Sequence, residues 1–181
     1  DIYDDFLSEE DFETLQNIVT NHNFTWKRSR ILHDKDDPGM EKHQNLTFGD
    51  SNPNYNIQFV KLVYCATKKE SDNQLILGPL SPLLKKLGIH RGNAIKMKFN
   101  TTMNHGEHVN SGFHTDVRME NSKTAVYYIN DNNGYTAFED GTKVLSKANR
   151  IAVFPSDTRH SGFSCTDQPY RIVLNLNWIN V

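Results

Sequence analysis

Two short stretches of this sequence carry residues suited to holding a metal ion. The first is His114-Thr115-Asp116, inside a run predicted as a strand from Phe113 to Val117. Side chains two apart in an extended chain point the same way, so His114 and Asp116 approach one ion from one face. Alone the pattern is weak. With eight histidines in the chain, about 0.6 His-x-Asp matches arise by chance, the ordinary risk of a short motif. The second stretch supplies a third ligand, His160, in another strand-rich region behind Phe154-Pro155-Ser156-Asp157.

Two imidazoles and one carboxylate on one side of an ion leave three positions open, which suits Fe(II) oxygen chemistry. Closed structural zinc sites leave none. Eleven residues after His160 comes Arg171, in the apolar run Tyr170–Ile179. Its neighbours Ile172, Val173, Leu174, Leu176 and Trp178 predict burial. A buried guanidinium requires an anion. That anion is either an internal Asp or Glu, or a bound dicarboxylate that the planar fork grips with two hydrogen bonds. Asn175 lies four beyond Arg171 and shares its strand face. An inward amide there needs a partner, either a cosubstrate or a water.

The ordered set His114-x-Asp116, His160, Arg171 resembles the signature of the Fe(II)/2-oxoglutarate-dependent dioxygenases. It looks most like their prolyl-4-hydroxylase-like branch, including small stand-alone bacterial and phage members. The segments Thr124-Ala125-Val126-Tyr127-Tyr128-Ile129-Asn130 and Gly134-Tyr135-Thr136-Ala137-Phe138 resemble the strand–turn–strand that follows the first ligands in that branch. The resemblance covers residues 94–181. It implies that His114, Asp116 and His160 bind Fe(II), and that Arg171 pairs with the distal carboxylate of 2-oxoglutarate. It also matches Tyr128 to a tyrosine that donates to that carboxylate. Asn100 stands near the place of a cosubstrate-contacting tyrosine. The implied reaction consumes O2 and 2-oxoglutarate, releases succinate and CO2, and hydroxylates a C–H bond of a peptidyl or free amino-acid-like substrate.

The sequence departs from the branch at two places. Val173 replaces the Ser or Thr common two residues after the arginine, and Gly134-Tyr135 replaces a Gly-Gly pair. Two loops, 27–54 and 101–112, are placed to form the mouth of the site. His105 and His108 in the second have metal-like spacing, but spacing alone does not build a coordination shell. Arg118 reads as a solvated strand-end residue.

These residues need a frame. Ser8-Glu9-Glu10-Asp11 resembles a capping box, followed by Phe12, Leu15, Ile18 and Val19 on one helical face. A strand is predicted from Tyr55 to Tyr64, and a short helix from Ser81-Pro82 that stops at Gly88. From Asn93 onward short extended runs recur: Ala94–Met103, Phe113–Val117, Thr124–Ile129, Tyr135–Phe138, Lys143–Val144, Arg150–Phe154 and Tyr170–Ile179. Turn signals such as Asn133-Gly134 and Asp140-Gly141 separate them. The expectation is a mostly β fold with supporting helices, a double-stranded β-helix (jelly roll). It is expected as one domain, with 1–92 as helical support and lid loop and 93–181 as the jelly-roll core.

Composition narrows the partners. The chain has 181 residues, a net charge of −2 and two cysteines. It is not basic, which disfavours phosphate-dominated nucleic-acid binding. No run reaches the length of a membrane span. Two widely spaced cysteines and no visible signal segment give an expectation of a cytoplasmic protein with free thiols. Two other functions compete: a cupin-like metalloenzyme without 2-oxoglutarate, and a non-catalytic jelly-roll binding module.

Overall fold

A computed structural model describes residues 1–30, 57–67, 74–110 and 112–180. Most of the expected 27–54 loop lies outside the described residues. Its first four residues are a strand.

Among the described residues, ten strands and two helices follow one another. They are β1 (Ile2–Tyr3), α1 (Glu9–Thr20), β2 (Lys27–Arg30), β3 (Ile57–Cys65), α2 (Gln74–Lys86), β4 (Ala94–Met103) and β5 (Ser122–Tyr128). Then come β6 (Tyr135–Phe138), β7 (Lys143–Leu145), β8 (Ile151–Pro155), β9 (His160–Phe163) and β10 (Tyr170–Ile179). Ser8 caps α1: its Oγ accepts from the Asp11 amide at 3.2 Å and donates to the Asp11 carboxylate at 2.7 Å. Such a cap contributes about 1 kcal/mol. α2 starts at Gln74, well before the expected Ser81-Pro82. Pro79 and Pro82 both lie inside it. Each proline removes a helical N–H, yet burial of Ile76, Leu80 and Leu83 on one face outweighs that loss. The expected stop at Gly88 is present, with φ +68° and the Gly88 and Ile89 amides donating back to Lys85 and Leu84.

The strands form a seven-stranded sheet, ordered β1-β8-β5-β10-β4-β3-β2, and a three-stranded sheet, β7-β6-β9. Asn110 and His114 stand beside β9 through two isolated bridges, Asn110↔Phe163 and His114↔His160. Between β4 and β10 the chain passes back and forth between the two sheets. With the Asn110 and His114 bridges counted, four segments of each sheet make the jelly roll, a double-stranded β-helix. The expected strand Phe113–Val117 is a correction. Only His114 of that run is paired, because Gly112 takes φ +85° and turns the chain.

The major sheet has two different faces. One packs Phe99, Tyr127, Leu174, Leu176 and Trp178 against Leu15, Val19, Leu80 and Leu83 of the helices. The other faces the minor sheet, where the apolar cluster is small: Val126, Tyr128, Val144, Ala152, Phe154 and Val173. The space inside the roll is therefore largely lined by polar side chains. Cys65 and Cys165 are free thiols. No helix among the described residues is long and apolar enough to cross a membrane.

Candidate metal centre and the polar barrel behind it

His114, Asp116 and His160 converge. One ligand atom from each lies within 4.8 Å of the others. The His114 Nε2 to Asp116 Oδ1 distance is 3.5 Å, and that from His160 Nε2 is 4.0 Å. The backbone sets this up. His114 and His160 face each other in an antiparallel bridge, each amide donating to the other's carbonyl at 2.9 and 3.0 Å. Each Nδ1 donates to a carbonyl two residues earlier, His114 to Gly112 at 3.2 Å and His160 to Thr158 at 3.0 Å. A carbonyl only accepts, so Nδ1 carries a proton in both rings, and in a neutral ring the Nε2 lone pair faces the site.

Asp116 is held in turn. Its Oδ2 accepts from Asn177 Nδ2 at 3.1 Å, and the same nitrogen donates to Thr124 Oγ1 at 2.9 Å. Burial alone would raise the Asp116 pKa. The hydrogen bond from His114 and the charges of both histidines, with Asn177, outweigh it and hold the carboxyl below the usual range. Burial pushes His160 down. His114 is opposed by burial but raised by its bond to Asp116. The site thus offers an ionised carboxylate and at least one neutral imidazole. Among the described residues no other group of three such side chains converges. His108 is instead bonded to the Ser164 carbonyl at 2.7 Å, and Arg118 is exposed.

Arg171 is buried, only 5% exposed, and no carboxylate among the described residues pairs with it. The internal ion pair that the sequence left open is absent there. Its Nε donates to Ser146 Oγ at 2.8 Å and its Nη2 to Thr136 Oγ1 at 3.0 Å. Two glycines make room for it. A Cβ on Gly134 would stand 2.7 Å from Arg171 Cδ, and one on Gly162 3.4 Å from Nη1. Tyr128 lies beside it, the guanidinium carbon 5.5 Å from the ring centre. The Tyr128 hydroxyl donates to Thr136 Oγ1 at 2.8 Å. Thr136 accepts from both residues, which keeps its own proton available to donate.

Along β10, Arg171, Val173, Asn175 and Asn177 share the inner face, opposite Thr102, Asn100, Lys98 and Lys96 of β4. Asn100 Oδ1, Thr102 Oγ1 and Asn175 Oδ1 are buried without a hydrogen-bond partner. Val173, at the place of the usual Ser or Thr, packs with Val126 and Tyr128. Buried polar atoms are normally bonded. The guanidinium, which no described carboxylate meets, fits an anionic group held inside the roll, and the orphaned oxygens beside it fit the donors of a polar molecule or of water. The sequence reading missed Asn177, Thr124, Thr136, Ser146 and Lys98. The two-residue alternation that found Asn175 reaches Asn177 one step further.

No protein-family profile matches the sequence, and no curated protein sequence matches it. Solved structures do. A prolyl hydroxylase from Trichoplax adhaerens, determined with a hypoxia inducible factor peptide fragment, superposes with a TM-score of 0.60. It is 12% identical, and the match covers 99% of this chain and 82% of that one. The fold is one shared with a prolyl hydroxylase. A 2OG-Fe(II) oxygenase family oxidoreductase from Burkholderia pseudomallei matches at TM-score 0.49 and 12% identity, over 68% of this chain and 66% of that one. KdgF from Halomonas sp. matches at TM-score 0.44 and 13% identity, over 89% of this chain and 91% of that one.

Proposed function

We propose that the protein is an Fe(II)- and 2-oxoglutarate-dependent oxygenase. It hydroxylates a C–H bond of a peptidyl or free amino-acid-like substrate and releases succinate and CO2. The observation that carries this reading is Arg171: buried, unpaired with any described carboxylate, and set behind an open His-Asp-His site. A cupin-like metalloenzyme without a dicarboxylate cosubstrate would leave that guanidinium idle, and an uncompensated buried charge costs several kcal/mol, in the range of about 3–5.

The residues present fit the implied groups. His114, Asp116 and His160 would hold Fe(II), and Arg171 with Thr136 and Ser146 would hold one carboxylate of 2-oxoglutarate. When bound, these groups supply the oxidising power that turns a C–H bond into an alcohol. The chain's own contribution is orientation and exclusion of water. Asn177 fixes the carboxylate of Asp116. The carbonyls of Gly112 and Thr158 fix the imidazole tautomers. Thr136 and Ser146 hold the guanidinium plane in place, and Tyr128 walls it off from solvent.

The test is spectroscopic and then catalytic. Fe(II) and 2-oxoglutarate added without oxygen should give a weak visible charge-transfer band, and admission of O2 should release succinate. Arg171→Ala should lose the band at limiting 2-oxoglutarate, and His160→Ala should lose both signals. A wild-type protein that gives no band, or an Arg171→Ala protein that gives an undiminished one, removes the reading.

A further inference from the structure

The inner wall of the barrel carries a second cation that the triad and Arg171 leave unused. Lys98 lies on β4, whose neighbouring residues Met97 and Phe99 face the opposite way, into the helix-side core. The Lys98 side chain therefore enters the barrel. Its cross-strand neighbours are Asn175 on β10 and Leu62 on β3, neither of them charged. No ion pair or hydrogen bond holds its ammonium among the described residues. It is near enough to the metal site to feel the charge of Asp116, and it opposes protonation of His114. Burial is the main cause of a lysine pKa brought down to about 8, with Lys96 adding to it. Lys98 is half-buried with no anionic partner among the described residues, and the Asn175 Oδ1 on the neighbouring strand is a buried acceptor without a donor.

Charge balance says what is missing. On the oxygenase reading, the loaded barrel holds a divalent ion, Arg171 and Lys98 as cations. Against them stand Asp116 and the two carboxylates of the cosubstrate. One positive charge is left over on the inner wall, where Lys98 is half-buried, and Lys96 lies on the same face. A partly desolvated cation without a counter-ion is unfavourable, and a further anion corrects it.

We propose that Lys98 anchors a carboxylate of the molecule that is oxidised. This rests on the oxygenase reading and narrows its substrate class to carboxylate-bearing compounds, free amino acids or chain-terminal residues, over neutral internal peptide segments. Lys98 is a specificity residue: it selects by charge and leaves the cosubstrate to Arg171.

The assignment is tested by binding, with Zn(II) in place of iron so that nothing turns over. A panel of N-acetyl amino acids and their matching amides is titrated into the zinc protein with 2-oxoglutarate, and repeated without it. Wild type should bind the best acid about tenfold or more tightly than its amide, the scale of a charged hydrogen bond. Lys98→Met should shrink that ratio to about twofold or less and leave 2-oxoglutarate affinity within about twofold. Lys98→Arg, which keeps the charge, should retain most of the preference. Wild type with no acid-over-amide preference anywhere in the panel, including no binding at all, overturns the assignment. So does a Lys98→Met protein that keeps the preference. Loss of 2-oxoglutarate affinity in Lys98→Met with the preference intact overturns it too, making Lys98 a second cosubstrate anchor. A Lys98-dependent acid preference in a protein that fails to bind 2-oxoglutarate supports the subsite and removes the oxygenase reading instead.

Discussion

Strand β10 shows two surfaces built from alternating residues of one run. Ile172, Leu174, Leu176 and Trp178 point to the helices and join the larger core. Arg171, Val173, Asn175 and Asn177 point into the roll, where orphaned and charged groups gather. Strand β5 repeats the division: Tyr127 belongs to the helix-side core and Tyr128 to the small inner cluster. One face supplies the burial that keeps the sheet folded. The other is held in place by it, and gathers polar atoms that have no partner among the described residues. The helices are thus the support that lets the barrel interior be unfavourable.

This division is broken most visibly by truncating each face in turn. Leu174 is fully buried, and Leu174→Ala should destabilise the protein by about 2–5 kcal/mol through lost burial and a cavity. Asn175→Ala, its neighbour on the other face, removes a carboxamide whose oxygen has no partner and should cost less than about 1 kcal/mol. Urea unfolding of both variants checks it. Equal losses would mean that the inner face also carries stability.

The second effect concerns pH. Lys98 has its folded pKa lowered to about 8 from an ordinary 10.5. Between those values the unfolded chain binds the proton and the folded one releases it, so stability rises with pH across that window. Below about pH 8 both states are protonated and the full penalty applies, of order 3 kcal/mol at most. Lys98→Met should therefore be the more stable protein at pH 7. Its advantage over wild type should shrink as pH climbs from about 8 towards 10.5. Denaturant midpoints at pH 7 and pH 10 give the comparison, and parallel profiles would place Lys98 in a solvated setting.

How much of this was legible beforehand follows from the same alternation. The triad and Arg171 could be read because a strand's period is two and their order along the chain was distinctive. Strands β4, β6 and β10 were located to the residue. Phe113–Val117 was read as a strand because its residues are extended formers, and the Gly112 turn and single bridge depend on contacts with β9. The start of α2 was misread because its prolines look like helix beginnings. The partners of Arg171 were invisible for another reason. Ser146 and Thr136 precede it by 25 and 35 residues, and only closure of the minor sheet brings them to it. Tyr128 lies beside Arg171, but its hydroxyl donates to Thr136, which a reading of β5 by itself does not reveal.

The smallest effect separates holding a ligand from holding the fold. Asn177 lies on the inner face of β10, but its work is done through Asp116 and Thr124. Replacing it by Ala leaves all three ligands in place and removes the donor that aims one of them. Partners of this kind typically change metal affinity by about 10- to 100-fold, or roughly 1.4–2.7 kcal/mol on that scale. Asn177→Ala should therefore weaken Zn(II) or Fe(II) binding by that factor in a chelator competition. Asn177→Asp should weaken it more, since a second carboxylate beside Asp116 repels it and encourages one of the two to keep its proton. If both variants bind metal like wild type while melting earlier, Asn177 belongs with Leu174 as a packing residue. The boundary between the two faces would then lie one step closer to Arg171.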